Sequence, residues 1–217
     1  MDVVILAGGK GTRMTDKYPK PLVRAKGKAI LDWQLDYLLK NNVDNIVLAL
    51  GHRTKEIIRH INSKYKTAKI SFSKGTIAHG TGGALKRALK YCTTDFILLM
   101  NCDDLANINI NKLRKIKHNS ICVAHPRSHF GLVKEVRGYA KFEEKPILKD
   151  WVSCGWVILD RKEMLKKIPD EGSMEYDVYP KIKLKIFKHA GFWKPLNSRK
   201  DVDDFEKLTV PKELYKK

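Results

Sequence analysis

Short apolar runs of strand length alternate along the chain with segments whose apolar residues recur at helical spacing. This alternation predicts an α/β fold in which crossover helices join the strands of one sheet. The predicted strands cover residues 3–7, 45–50, 69–73, 95–100, 121–125, 132–136 and 152–159. The predicted helices cover residues 30–40, 54–61 and 83–91 between the first four strands, with two later ones at 176–181 and 202–208.

The order of these elements narrows the fold class. Strand and helix alternate strictly over the first 100 residues, and such units form a mostly parallel sheet through right-handed crossovers. We therefore expect a three-layer, doubly wound α/β fold with a mixed, mostly parallel sheet. No linker, repeat or low-complexity segment interrupts the chain, so we expect a single domain. Ligands of such sheets bind at the carboxyl ends of strands, here the loops after Ala7, Ser73 and Met100.

Composition excludes several classes of protein. With 43% hydrophobic and 31% charged residues among 217, the chain is typical of a globular enzyme and not of a disordered, collagen-like or coiled-coil protein. Its apolar runs fall well short of the roughly 18 residues that span a bilayer, and no signal peptide is apparent. We expect a cytoplasmic protein that has no membrane partner. The four cysteines show no zinc-site spacing and are interpreted as core or loop residues.

The formal net charge of +19 is spread over both halves of the chain. Such a field attracts polyanions, which include nucleoside triphosphates and nucleic acids. It is equally typical of a lysine-rich surface without a specific partner. Because no DNA- or RNA-binding motif accompanies the charge, we do not expect a nucleic-acid partner.

The loop after the first predicted strand combines glycines with cations. Gly8, Gly9 and Gly11 allow backbone amides to close on phosphate oxygens, and Lys10 and Arg13 supply positive charge. The spacing fits neither a Walker loop nor a dinucleotide fingerprint. The loop therefore indicates a phosphate site of another kind, with an ordinary glycine-rich turn as the alternative.

Lys20 follows between Pro19 and Pro21, and the two prolines predict an extended backbone that restricts where its amine can point. Together, the segments GGKGTRM (8–14) and PKPL (19–22) resemble the signature of the sugar-1-phosphate nucleotidyltransferases. The resemblance implies a Rossmann-like nucleotidyltransferase fold of the GT-A type. It also implies a nucleotide-binding part over about residues 1–107 and a sugar-phosphate part over about 108–217.

The nucleotide-binding residues that this resemblance implies begin at the end of the first strand. They are Leu6, Ala7, Gly8, Gly9, Gly11, Thr12 and Arg13. The segment GTGGAL (80–85) resembles the family's loop along the base, which adds Gly80 and Thr81. Residues 101–105 resemble the family's NGDxL motif, which adds Asn101 and makes Asp103 the Mg²⁺ ligand. Without the family, the alternative interpretation of these carboxylates is an acidic turn at the end of a strand.

Later segments resemble the acceptor side of the same family. The residues that they imply for substrate binding are Gly131, Glu144, Lys145, Ser153, Gly155 and Glu175. Serine stands at 153 where the family usually has asparagine. Glu175 also fits the first turn of a helix that is capped by Ser173.

The last motif, GFWKPLNS (191–198), is most similar to GFWQPMDT of the glucose-1-phosphate cytidylyltransferases. This similarity makes CTP the first expectation for the nucleotide. Asn197 stands where that family has the second metal carboxylate, so the second ligand is Asn197 or a nearby Asp201, and a weaker Mg²⁺ site is expected. Gly75 falls where the family often has Gln or Glu reading the base, which leaves the base weakly constrained.

The implied reaction is attack of a sugar-1-phosphate oxygen on the α-phosphorus of an NTP. It needs no general base, because the second pKa of a phosphate monoester is about 6. The expected catalytic residues are Arg13 at the pyrophosphate, Lys20 at the α-phosphate, Lys145 at the sugar phosphate and Asp103 at Mg²⁺. The alternatives are a cytidylyltransferase for a non-sugar phosphate, such as phosphocholine or inositol phosphate, and a regulatory subunit that only binds nucleotide sugars. A homo-oligomer is compatible with each.

Overall fold

The computed structural model describes residues 1–14, 17–43 and 45–215. Its strands are β1 Asp2–Leu6, β2 Arg24–Ala25, β3 Lys28–Ala29, β4 Ile46–Leu50, β5 Ile70–Lys74, β6 Phe96–Asn101, β7 Asp104–Ala106, β8 Ser120–Ala124, β9 Leu132–Val136, β10 Tyr139–Glu143, β11 Val152–Asp160, β12 Lys185–Lys188 and β13 Trp193–Pro195. Its α-helices are α1 Ile30–Lys40, α2 Thr54–Lys64, α3 Gly80–Ala88, α4 Ile110–Arg114, α5 Arg161–Lys167, α6 Arg199–Lys207 and α7 Lys212–Tyr215.

Seven of the strands form the central sheet, in the order β12-β8-β11-β6-β1-β4-β5. Every neighbouring pair is parallel except the two pairs made by β11, which runs antiparallel to both β6 and β8. From β1 the chain moves outward to β4 and β5 and then crosses back to β6. The loops after β1 and β6 therefore meet at a topological switch point, where doubly wound sheets bind their ligands.

Alternate side chains of each central strand enter two separate apolar cores. One core lies under α1, α2, α4 and α6, and takes Val3 and Ile5 from β1. The other lies under α3 and α5, and takes Val4 from the same strand. Because successive strand residues point to opposite faces, an uninterrupted apolar strand indicates a sheet covered on both sides. The predicted fold class, a mostly parallel three-layer α/β domain, is confirmed.

The predicted elements of the first half match the structure to within about three residues, and the segments at 30–40 and 132–136 match it at both ends. The predicted helix at 176–181 is different. It consists of a π-helical turn, Met174–Val178, and a 3-10 turn, Tyr179–Lys181. Pro180 has no N–H to donate, so an α-helix does not continue through it, and the chain changes from the wider π-helical turn to the tighter 3-10 turn just before it. Helices α4 and α5 were missed because five and seven residues are too few to show a helical period.

The four cysteines are free and buried, as expected for core residues. Within the described part of the chain, no helix is long and apolar enough to cross a membrane.

Asp2 secures the start of β6 to the start of β1. Its side chain is buried and accepts hydrogen bonds from the backbone N–H groups of Thr93 and Thr94. Burial alone would raise the pKa of this carboxyl, but these bonds outweigh burial and hold the pKa below its ordinary value of 3.8.

We expect Asp2→Asn to lower the free energy of unfolding by about 1–2 kcal/mol near neutral pH, because a charged acceptor becomes a neutral one. A depressed pKa stabilises the fold above the unfolded value, and this stabilisation is lost as pH falls through the folded value. Urea unfolding curves of the two proteins should therefore differ at neutral pH and converge in acid below pH 3.8, as the carboxyl becomes protonated in the folded protein. Asp95→Asn, at an exposed ion pair with Lys162, is the control, and an equal loss there would contradict the assignment.

Candidate active site

The glycine loop after β1 lies at the switch point and packs against the loop after β4. The N–H of His52 donates to the carbonyl of Gly8 over 2.9 Å, and a side chain on Gly8 would lie 2.9 Å from the nitrogen of Gly51. Gly9 has open space where its side chain would be. Gly8 thus holds the loop close to β4, while the exposed amides beyond it are left accessible to an anion.

Lys20 is oriented by this loop and by its neighbouring prolines. Gly11 has a φ of +65°, and a Cβ there would lie 2.5 Å from the Cβ of Lys20. The expectation of an extended backbone at Lys20 was wrong, because Lys20–Leu22 forms a 3-10 turn that begins after Pro19. Pro21 is accommodated because the first turn of a helix needs no N–H donor there. The direction of the Lys20 side chain is restricted as predicted, but by a 3-10 turn and not by an extended backbone.

The ammonium of Lys20 pairs with the carboxylate of Asp103 and lies 3.5 Å from the side-chain oxygen of Asn197. The Lys20 and Asp103 side chains are only 13% and 15% exposed. The segments that follow β1, β6 and β13 therefore meet at the ammonium of Lys20. A carboxylate and an amide oxygen are the hard donors that Mg²⁺ prefers, so the residues present fit that ion.

Asp201 has a different position from Asn197. It accepts from the backbone N–H and hydroxyl of Ser198 and so completes a capping box at the start of α6. Its other oxygen lies 3.8 Å from the ammonium of Lys194. Of the two expected second ligands, Asn197 is the one beside the Lys20–Asp103 pair. In the described ranges, no three His, Cys, Asp or Glu residues are grouped to hold a metal.

The turn between β6 and β7 contains a second, buried carboxylate. Asp104 accepts from the indole N–H of Trp193 over 2.9 Å and from the side-chain amide of Asn101 over 3.3 Å. Burial, and then the neighbouring charge of Asp103, raise the pKa of Asp104 to about 7. Motif comparison missed Asp104 and Trp193. The adjacent acidic pair at the end of a buried strand was the available signal.

Gly155 fits around this carboxylate. It has a φ of +75°, and a Cβ there would lie 2.0 Å from an oxygen of Asp104. It sits where the register between β11 and β8 shifts. The adjacent Ser153 is exposed at the same end of the sheet, and its hydroxyl accepts from the N–H of Gly155 over 3.4 Å. These two predicted acceptor residues therefore lie beside the Asp103 turn.

The start of α3 packs backbone to backbone against the segment before the π-helical turn. The N–H of Gly82 donates to the carbonyl of Gly172 over 2.8 Å, and a side chain on Gly83 would lie 2.1 Å from the carbonyl oxygen of Asp170. The glycines predicted to admit a base therefore also admit a protein backbone. The hydroxyl of Thr81 donates to the carboxylate of Glu175 over 3.3 Å, which joins a predicted nucleotide residue to a predicted acceptor residue.

The remaining acceptor residues lie at the base of the β9–β10 hairpin. The ammonium of Lys145 lies 3.2 Å from the carboxylate of Glu144, and its carbonyl accepts from the guanidinium of Arg127 over 2.9 Å. A side chain on Gly131 would lie 3.1 Å from a carboxylate oxygen of Glu144. Gly131, Glu144 and Lys145 thus form one group, separate in their contacts from the Lys20 pair.

The other predicted nucleotide residues lie along the glycine loop. The backbone of Leu6 and Ala7 is engaged in the sheet, where the N–H of Ala7 donates to Ala49 and the carbonyl of Leu6 accepts from Cys102. Thr12 and Arg13 are exposed beyond them. The predicted residues therefore fall into separate contact groups, of which the glycine loop, Lys20 and Asp103 belong to the segments that follow β1 and β6.

Comparisons with known proteins show the family of the chain. The family described as "MobA-like NTP transferase domain" matches residues 3–135. The chain is 27% identical to D-glycero-alpha-D-manno-heptose 1-phosphate guanylyltransferase of Campylobacter jejuni, over 99% of this chain and 97% of that one. It is 27% identical to a probable glucose-1-phosphate cytidylyltransferase of Bacillus subtilis, over 96% of each.

A solved structure has the same architecture. HddC from Yersinia pseudotuberculosis, complexed with GMP-PN, superimposes with a TM-score of 0.77 at 25% identity, covering 94% of this chain and 97% of that one. The resemblance first indicated by the glycine loop and the PKPL segment is thereby confirmed. The chain belongs to the MobA-like NTP transferase domain family, and it is a nucleotidyltransferase.

Proposed function

We propose that this protein transfers a nucleotidyl group from a nucleoside triphosphate to a sugar-1-phosphate and releases pyrophosphate, with Mg²⁺ as cofactor. The observation that carries the proposal is the convergence of Lys20, Asp103 and Asn197 at the switch point of the sheet. A nearly buried lysine beside a carboxylate at the end of a phosphate loop suits a triphosphate and its counter-ion. The full-length similarity to two sugar-1-phosphate nucleotidyltransferases supports the acceptor class.

The proposed chemistry relies on positioned charge. The acceptor phosphate is already largely anionic near neutral pH, so no residue needs to remove a proton. Lys20 holds the α-phosphate, and exposed Arg13 meets the charge that builds on the pyrophosphate. Asp103 and Asn197 hold Mg²⁺, which when bound offsets the charge of the triphosphate.

The proposed acceptor site lies between the hairpin group and Glu175. Lys145 neutralises the sugar phosphate, while the carboxylates of Glu144 and Glu175 accept hydrogen bonds from sugar hydroxyls. The contact of Glu175 with Thr81 ties this site to the nucleotide side. Such a link favours reaction only when both substrates are in place.

The proposed nucleotide is GTP or CTP, because two curated relatives that match nearly the whole chain are a guanylyltransferase and a probable cytidylyltransferase. The motif at residues 191–198 favours CTP, whereas the Campylobacter relative and the GMP-PN complex favour GTP. Gly75, where a Cβ would lie 3.5 Å from the side chains of Arg87 and His79, brings no side chain of its own to a base and is compatible with either.

The test is pyrophosphate release from each common NTP, supplied with a panel of hexose- and heptose-1-phosphates and Mg²⁺. We expect release with GTP or CTP and one acceptor, and none after chelation of the metal. Asp103→Asn serves as the inactive control. Nucleotide binding without release from any pair would contradict the sugar acceptor, and a second panel of phosphocholine and inositol phosphate would then identify a non-sugar acceptor.

A further inference from the structure

A buried side-chain amide, that of Gln34, donates hydrogen bonds to the turn that carries Asp103. Gln34 lies on α1 and is 3% exposed. Its side-chain N–H₂ donates to the carbonyl of Asn101 over 2.7 Å and to the carbonyl of Asp104 over 3.0 Å. A single side chain therefore bonds the residues at both ends of the four-residue turn.

A glutamine at position 34 costs folding free energy if its role is only to fill the core. Its carbonyl oxygen is buried and has no hydrogen-bond partner among the described residues. Its neighbours Trp33 and Leu35 on α1 are buried and belong to the apolar core. An unpaired buried acceptor costs free energy that a side chain such as Met would not, so the two donated bonds must account for an amide here.

Those two bonds help to fix the backbone that carries the Asp103 carboxylate, together with the bond from the N–H of Leu196 to the carbonyl of Asp103 over 2.8 Å. Asp103 lies between the two bonded residues, and its carboxylate pairs with Lys20. The indole N–H of Trp156 also donates to the carbonyl of Asp104, over 3.3 Å, but it contacts only that end of the turn. Without Gln34, the carbonyl of Asn101 would lose its amide donor and the strand end could rotate.

We propose that Gln34 is a positioning residue, which fixes the Asn101–Asp104 turn so that Asp103 is aimed at the cation and at Lys20. The inference rests on the proposed function for the role of Asp103. Groups that orient a metal-binding carboxylate typically change metal affinity or activity by about 10–100-fold when they are removed. Gln34 acts through the backbone of the turn and touches no substrate.

The test replaces the amide and follows two readouts. Gln34→Met keeps the length and removes both donors together with the unpaired acceptor, so the melting temperature should hold or rise. Gln34→Asn keeps the amide but withdraws it by one methylene, and is the second variant if Met perturbs folding. Leu38→Met, a buried substitution on the same helix, is the matched control.

The first readout is Mn²⁺ binding, followed by electron paramagnetic resonance in the presence of GTP or CTP without acceptor. We expect both Gln34 variants to bind Mn²⁺ about tenfold or more weakly, and Leu38→Met to bind as the wild type does. The second readout is turnover, for which we expect a similar fall in kcat with little change in the acceptor KM. A purely structural role would change the melting temperature and leave Mn²⁺ affinity unchanged.

The outcomes separate this inference from the proposed function. Folded Gln34 variants that bind Mn²⁺ within twofold of the wild type would overturn the positioning role. A wild type that binds Mn²⁺ but releases no pyrophosphate would count against the proposed reaction alone, since the metal titration still decides about Gln34. A wild type that binds no Mn²⁺ with nucleotide would overturn both.

Discussion

Asp103→Asn should remove Mg²⁺-dependent pyrophosphate release while leaving the protein folded. The substitution keeps the size of the side chain but replaces an anionic oxygen with an amide. Asn197 already offers a neutral oxygen at this site, so the variant would hold a divalent cation with two neutral donors. Mg²⁺ sites in nucleotidyl and phosphoryl transfer depend on one or two carboxylates besides phosphate oxygens. Asp103 is the carboxylate that the structure brings to the Lys20 ammonium.

The experiment is a titration of activity with Mg²⁺, together with Mn²⁺ binding and a melting curve. We expect activity to fall on the order of 10³-fold or more at ordinary Mg²⁺ concentrations, with a melting temperature close to that of the wild type. Asp203→Asn removes one negative charge from an exposed ion pair with Arg199 and should be active. Normal activity of Asp103→Asn at ordinary Mg²⁺ would show that Asp103 is not the ligand.

The first half of the fold was predictable from sequence because its elements are long and bury one or both faces. Helix α1 has enough turns for its apolar period to show, and β1 is apolar at nearly every position. The edge strand β12 was missed because lysines flank its apolar pair, and charged residues on an edge strand hide the alternation while they discourage pairing with other chains. The apolar pattern that burial imposes, and not secondary-structure propensity alone, made these elements predictable.

For the site, the motifs predicted residues that the structure brings together. Lys20 and Asp103 are 83 residues apart, and the parallel topology brings them together as the resemblance implied. The segment GTGGAL (80–85) was predicted to lie along a base, and in the structure the missing side chain of Gly83 makes room for the carbonyl of Asp170. Gln34 and Asp104 escaped notice because their importance lies in contacts made on folding, with backbone carbonyls for Gln34 and with the side chains of Trp193 and Asn101 for Asp104. For Gln34, no local spacing in the sequence signals such contacts.

Lys20→Ala should lower kcat on the order of 10²-fold or more and change the KM for the nucleotide much less. The Lys20 side chain is only 13% exposed, so its charge acts on a phosphate through a poorly screened environment. A donor that is already aimed at the reacting group stabilises the transition state without reorganising during the reaction. Gly11 and the 3-10 turn provide that aim here, because they fix the backbone on which the lysine stands.

Two further variants distinguish the effect of where the Lys20 ammonium lies from the effect of its charge. Lys194→Ala removes a lysine that is 20% exposed on the neighbouring β13, and should keep kcat near that of the wild type. Lys20→Arg retains the charge but presents a broad planar group against Gly11, so it should recover little of the lost rate. Wild-type turnover in Lys20→Ala would remove Lys20 from the mechanism. An equal fall in kcat in Lys194→Ala would show that the rate depends on the overall electrostatic field of the protein, whose net charge is +19. It would contradict a role for Lys20 that depends on its position.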